Sequence, residues 1–284
     1  MTAQIWLLAG ITFLMLTAAA LLVMTVQARK LKVSAADFSR PGESPLRLVL
    51  LSDLHISKMP IHWDYIGTKI SKADPDFVVV TGDLIFSRKD GPAVLSFFRL
   101  LITYVDCPVY ITYGNHDNNK LFHRDPALKR AFTQELEGIS HRIHVIERKT
   151  VTFSDRQRNV VICGLPDFQE GETDWESQVQ GAREQADRLS AVLLIASHSP
   201  ELLTRLKDGC ANLGVFGHYH DGQVHLPGRA EFRLLRRADK LACQGYIYGC
   251  YVYKGTPIYI TSGLGNTNLA IRYGSTPEIA VITF

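Results

Sequence analysis

The chain has 284 residues, 46% of them hydrophobic and 21% charged, with 31 basic against 28 acidic side chains and a formal net charge of +3. That length and composition suffice for one sizeable core or two small ones, and the near-balance of charge offers no basic footprint for nucleic acid. The five cysteines, Cys107, Cys163, Cys210, Cys243 and Cys250, are odd in number and lack CxxC spacing, which excludes a disulfide framework or a thiolate zinc clip and fits a reducing compartment.

The first element is "IWLLAGITFLMLTAAALLVMTV", Ile5 to Val26, 22 residues without a charge. At about 1.5 Å per residue it makes roughly 33 Å of helix, enough to cross a hydrocarbon core of about 30 Å. A cleavable signal peptide is the competing reading, because "VQA" at Val26 to Ala28 resembles a cleavage site. Against it, "MTAQ" lacks a basic n-region, and the run exceeds the roughly 7 to 15 residues of an h-region. Residues 1–28 are therefore read as an uncleaved single-pass membrane anchor. Arg29, Lys30 and Lys32 follow it and no basic residue precedes it, which puts the remainder on the cytoplasmic side. Residues 29–45 mix charge with Ser, Gly and Pro and read as a linker. The folded domain is expected over 46–284.

Within it, short apolar runs recur, each stopping at a polar cluster: "LRLVLLSDLH", "DFVVVTGDL", "CPVYITYGNHD", "RNVVICGLPDF", "AVLLIASHSP" and "NLGVFGHYH". Runs of this length rich in Val, Ile and Leu fit strands buried on both faces. Helical spacing separates them. Ile66 and Ile70 stand at i, i+4 in "WDYIGTKISKA", and Leu128, Phe132 and Leu136 at i, i+4, i+8 before Gly138. Such alternation predicts a layered α/β domain. The C-terminal part alternates about a Lys254-Gly255 turn and ends in "PEIAVITF", a hairpin plus a final strand.

The polar clusters carry the chemistry. Asp53 and His55, Asp83, Asn115 with His116 and Asp117, His198, then His218 and His220 stand at successive strand ends, where open α/β sheets bind ligands. Taken singly, each cluster has a plain explanation as a turn or helix cap. Together they supply four imidazoles, two aspartates and a carboxamide, the donor set for two divalent ions sharing a carboxylate, with nitrogen and oxygen ligands suited to Mn, Fe or Zn. In "GHYH" the two histidines are expected on one side of a strand, with Tyr219 facing away.

In order, Asp53-Leu-His55, Gly82-Asp83, Gly114-Asn115-His116-Asp117, His198 and Gly217-His218-Tyr-His220 resemble the five signature blocks of the calcineurin-like metallophosphoesterase superfamily. With the N-terminal span and the "GHxHxGQ" form of the last block, the chain resembles the small membrane-associated bacterial phosphoesterases of the YkuE and YaeI type. The resemblance covers about Leu46 to the C-terminus. It implies an α/β/β/α sandwich of two mixed sheets behind the membrane helix. It also implies that Asp53, His55 and His220 hold one ion, Asn115, His198 and His218 the other, and that Asp83 bridges them.

His116 is then a proton donor or stabiliser for the leaving oxygen, and Asp117 is expected to orient it through its second nitrogen. Arg272 is a weaker candidate for gripping substrate phosphate. "RLLRRADK", Arg233 to Lys240, either meets anionic headgroups or is an ordinary solvated amphipathic face. His62, His123, His141, His144 and His225 read as surface or packing residues. The expected function is membrane-anchored hydrolysis of phosphodiester or pyrophosphate bonds. A lipid-linked substrate such as UDP-2,3-diacylglucosamine is implied by the resemblance. The alternatives are a broad phosphodiesterase for soluble or cell-envelope diesters and a non-catalytic membrane scaffold. Neither a nucleic acid nor an obligate protein partner is expected.

Overall fold

The computed structural model describes residues 2–39, 42, 44–155, 158–170 and 174–284. The N-terminal helix α1 (Thr2–Arg29) is long and apolar enough over Gln4–Arg29 to cross a membrane, and its apolar window is not buried against the rest of the protein. A strand, β1 (Lys32–Asp37), follows after two residues and pairs in parallel with the last strand of the chain, β12 (Glu278–Thr283). The expected linker over 29–45 is thereby corrected: six of its residues belong to a sheet. "KVSAAD" has no run of large apolar residues to announce a strand, because only Ala36 is buried and the backbone ladder does the rest. Arg40, Pro41 and Glu43 of the same stretch lie outside the described residues.

The domain then runs β2 (Arg47–Leu51), α2 (Trp63–Ala73), β3 (Phe77–Thr81), α3 (Gly91–Leu101), β4 (Val109–Thr112), α4 (Pro126–Glu137) and β5 (Ile143–Val145). The second half adds β6 (Lys149–Ser154), β7 (Asn159–Gly164), α5 (Trp175–Arg188), β8 (Val192–Ala196), β9 (Leu213–Phe216), α6 (Ala230–Leu235), α7 (Lys240–Cys243), β10 (Gly249–Tyr253) and β11 (Thr256–Ile260). Two six-stranded sheets result, in the orders β1-β12-β2-β3-β4-β5 and β10-β11-β9-β8-β7-β6. Both are mixed: β12 against β2, β10 against β11 and β6 against β7 are antiparallel, and the remaining pairs are parallel.

Strand alternation builds the layers. In β2, Val49 and Leu51 face a core shared with α2 and α3, while Leu48 and Leu50 face the second sheet. In β3, Val78 and Val80 point one way and Phe77 and Val79 the other. The second sheet repeats this, with Val161, Leu193 and Ile195 packed toward α5 and Val160, Ile162 and Leu194 packed between the sheets. A strand whose residues are buried on both faces must be apolar at every position, which is why the runs read as continuous instead of alternating. The chain therefore forms the four-layered α/β/β/α sandwich, and the Lys254-Gly255 hairpin lies at the edge of the second sheet.

Candidate metal centre

The central parallel strands of both sheets end at one place. Asp53 and His55 follow β2, Asp83 follows β3, Asn115 and His116 follow β4, His198 follows β8, and His218 and His220 follow β9. Backbone bonds knit these loops together: Asp53 N donates to Gly82 O at 3.0 Å and His55 N to Asp83 O at 2.9 Å. Asp83 Oδ1 accepts from His116 N at 2.8 Å, and Asp53 Oδ2 accepts from His218 N at 3.0 Å. Asp53, His55, Asp83, His218 and His220 all hold φ between 37° and 75°, a region few non-glycine residues occupy. Such strain persists only where the surroundings impose it. Gly114 and Gly217 have no room for a side chain, because a Cβ would collide with Asp83 and with Ser52 and Asp53 respectively.

The ring nitrogens converge. His55 Nε2 lies 3.5 Å and His198 Nε2 3.4 Å from Asp83 Oδ2, so this one oxygen stands between two imidazoles. His220 Nε2 is 3.2 Å from both His55 Nε2 and Asp53 Oδ1, and His218 Nδ1 is 3.1 Å from His198 Nε2. The opposite nitrogens of two rings are committed: His55 Nδ1 faces Ile85 O at 2.9 Å and His198 Nδ1 faces Thr81 O at 2.8 Å. A carbonyl only accepts, so each Nδ1 carries the proton. In His55, which burial keeps neutral, the Nε2 lone pair is then turned toward the Asp83 carboxylate. That juxtaposition is repulsive unless a cation is shared between them, and Asn115 Oδ1 is also buried without a hydrogen-bond partner. Three overlapping groups, Asp53-His55-His220, His55-Asp83-His116 and Asp53-Asp83-His198, have donor atoms close enough to hold a metal ion.

Electrostatics divide the rings of that donor set. Burial lowers His55 to about 3, despite the opposing pull of Asp83, and burial likewise lowers His220 and His116. These rings are neutral at physiological pH, the form a metal requires. Burial also opposes charge on His198, but Asp83 and Asp53 outweigh it and raise that ring. Burial opposes ionisation of Asp83 and Asp53, yet the surrounding histidines lower both carboxyls.

Two expectations are corrected. Asp117 does not orient His116: its carboxylate accepts from the backbone N–H of Leu84, Ile85 and Gly114, tying the loops after β3 and β4 together. His116 Nδ1 is buried without a hydrogen-bond partner, and its ring stands edge-on to His55 at 4.7 Å between centroids. Arg272 is not a substrate arginine. It is fully buried, and its guanidinium donates to Ser262 O, Gly263 O, Gly265 O, Ser275 Oγ and Asn266 Oδ1. It fastens the loop packed behind Asp53, where Gly263 lies against the Asp53 side chain.

The "GHYH" segment also sits differently. His218 and His220 lie beyond β9 in a left-handed turn, so the turn, and not strand alternation, delivers both rings. Tyr219 does face away: its hydroxyl donates to Glu201 Oε1 at 2.5 Å, and Glu201 Oε1 also accepts from Leu241 N at 2.7 Å. The tyrosine thus pins the turn, through Glu201, to the first turn of α7.

Three side chains were missed. Asp239 Oδ1 lies 3.5 Å from His218 Nε2 and is locked by Arg236 Nε at 2.6 Å, while Arg236 also donates to the carbonyls of His218 and Tyr219. The acid inside "RRADK" was the only signal for it. Asp167, in "GLPDF", is buried with Oδ1 unpartnered, and burial raises its carboxyl while His198 and His218 pull it down. Lys120 lines the cleft, its ammonium 3.1 Å from Phe86 O and over the Phe86 ring.

The centre opens into a cleft of about 630 Å³ lined by Asp83, His116, Lys120, His218, His220 and Arg236 among others. A second cavity of about 590 Å³ shares Asn115 with it and is lined by Lys129, Glu147, Arg148, Asp167 and Glu170. A family model for calcineurin-like phosphoesterases matches residues 46–222. The chain belongs to that family.

Its relatives among the calcineurin-like phosphoesterases are similar along most of their length. The uncharacterized metallophosphoesterase YkuE of Bacillus subtilis is 28% identical over 85% of this chain and 80% of its own. The UDP-2,3-diacylglucosamine pyrophosphatase LpxG of Chlamydia trachomatis is 24% identical over 84% and 83%. The phosphodiesterase YaeI of Escherichia coli is 23% identical over 86% and 84%. The chain is thus a metal-dependent phosphoesterase with His and Asp side chains placed to bind metal.

Proposed function

We propose that this chain is a membrane-anchored hydrolase of phosphodiester or pyrophosphate bonds, that it works with two divalent ions, and that its substrate is lipid-linked. The observation that carries the metal assignment is Asp83 Oδ2, 3.5 and 3.4 Å from the Nε2 atoms of His55 and His198. Asp53, His55 and His220 then hold one ion, Asn115, His198 and His218 the other, and Asp83 both. When bound, two such ions, drawn from Mn, Fe or Zn, supply the nucleophilic water and the positive charge that in-line attack at phosphorus needs.

The chain's own groups do the rest. His116 is kept neutral by burial until a phosphate anion enters, and its partnerless Nδ1 then holds the proton for the departing oxygen. Its backbone N–H on Asp83 fixes the ring over the centre. Lys120 and Arg236 line the cleft as cations for the non-reacting phosphate oxygens. Asp239 holds the His218 ring so that Nδ1 faces the centre. Support for a lipid-linked pyrophosphate comes from α1 and from the LpxG relative's name, with the domain cytoplasmic by Arg29, Lys30 and Lys32. The YaeI name favours a second reading, a broad phosphodiesterase for soluble or cell-envelope diesters. A scaffold without activity is disfavoured because each of the seven proposed ligand positions carries a residue type able to bind metal.

The test is metal analysis with a substrate panel. Full-length protein loaded with Mn, Zn or Fe should hold two ions per chain and cleave UDP-2,3-diacylglucosamine faster than simple diesters. Hydrolysis only of soluble diesters would move the function to the second reading. Asp83→Ala should lose both metal and hydrolysis, and undiminished hydrolysis by a metal-free variant would sink the assignment.

A further inference from the structure

One short segment joins the cleft to α1. Thr267, Leu269 and Ile271 line the cleft together with His116 and His220. The next residue, Arg272, donates its backbone N–H to Met24 O at 3.0 Å, and Gln27 Nε2 donates to Thr276 Oγ1 at 2.6 Å. Met24 belongs to the apolar run Ile5–Val26. A domain held off the bilayer by a loose tether would not touch the helix at that depth. With α1 as the anchor, Met24 stands only about 3 Å along the axis, two residues at roughly 1.5 Å each, from the end of the run. The 269–273 loop and the mouth of the cleft therefore lie at the level of the headgroups.

The rim is built for that level. Leu226, Leu234, Leu235 and Leu269 are exposed by 37%, 60%, 78% and 65%. Arg233 and Arg237 on the same stretch are exposed, whereas its acids, Glu231 and Asp239, are buried against Arg229 and Arg236. What remains at the surface is apolar and positive, the pairing that suits an anionic bilayer surface. Gln223 bonds to Thr267 and Leu269, and His225 N bonds to Tyr273 O at 2.9 Å, so the residues leading into α6, the loop and the end of α1 are one connected unit.

We propose that the cleft opens onto the membrane itself. Leu234, Leu235 and Leu269 sit in the acyl boundary of an anionic leaflet, and Arg233 and Arg237 sit on its lipid phosphates. This rests on α1 as the anchor and deepens the proposed function, since a lipid-linked substrate then reaches His116 by lateral movement, its acyl chains never leaving the leaflet.

Hydrogen exchange on the full chain in phosphatidylglycerol-containing nanodiscs tests it, comparing wild type with an Arg233→Glu/Leu234→Glu variant. The peptide covering 266–273, which carries no substitution, should exchange several-fold faster in the variant, while α5 peptides stay unchanged. Equal rates, with α1 protected and both proteins floating with phosphatidylglycerol vesicles, would overturn membrane docking and leave the anchor standing. Failure of the wild type to float would remove the anchor and the docking with it. Faster exchange in α5 as well as in 266–273 would mean general loosening and would also count against it.

Discussion

The two cavities that meet at Asn115 are built from opposite materials. On one side, the cleft presents imidazoles, His218 and His220 among them on strained backbone, and a rim of exposed leucines. On the other, Lys129, Glu147, Glu170 and Arg148 form a chain of close polar contacts: Lys129 touches both glutamates, and Arg148 Nη2 lies 2.8 Å from Glu170. The cleft has its charge poised for a metal and a phosphate. The other cavity has already satisfied most of its charge internally, which holds its walls in place at a cost in desolvation. Function and stability are thus separated across one residue, and substitutions on the two sides should separate in the same way.

The largest effect tests the cleft side. His116→Gln should lower kcat by roughly 10² to 10⁴-fold, the usual contribution of a positioned proton donor, while two ions per chain remain bound. Loss of metal with the activity would make His116 a ligand instead, a possibility that the His55-Asp83-His116 grouping keeps open to measurement. Next comes Asp239→Asn. Removing the carboxylate charge behind His218 should weaken one ion of the pair by about 10 to 100-fold, read by metal titration, and leave the other unchanged. Equal weakening of both would show that Asp239 supports the turn and not the ring, since Arg236 clamps the same turn.

Much of this was legible because ligand chemistry leaves residue types that no turn requires. Four histidines and Asp83 at strand ends have no packing explanation in common, so their joint pattern pointed to one place. The layers were legible for a similar reason, since strands buried on both faces are apolar throughout. The failures share a cause as well. Asp117 and Arg272 have the right chemistry beside the right motifs, but their partners are backbone N–H and C=O groups, which every residue has and no pattern announces. Strand β1 escaped because an edge strand is held by its ladder and needs little apolar content. Asp239 lies 21 residues from His218 in the chain, a distance only the fold closes.

The smallest effect belongs to the charged cavity and depends on pH. Burial first, and then the neighbouring Glu170, push the Glu147 carboxyl from its usual 4.5 up to about 8, with Lys129 opposing. A raised acid binds its proton more tightly in the folded chain than in the unfolded one. Its contribution to stability is therefore complete below about pH 4.5 and is lost as pH climbs through 8. Glu147→Gln removes that titration without removing the side chain's bulk. The difference in Tm, variant minus wild type, should become more positive between pH 6 and pH 9, while hydrolysis at the metal centre changes little. A Tm difference that stays flat across the window would mean that Lys129 keeps Glu147 ionised throughout. The walls of the second cavity would then be held by a true ion pair and not by a shared proton, and the contrast with the cleft would be sharper still.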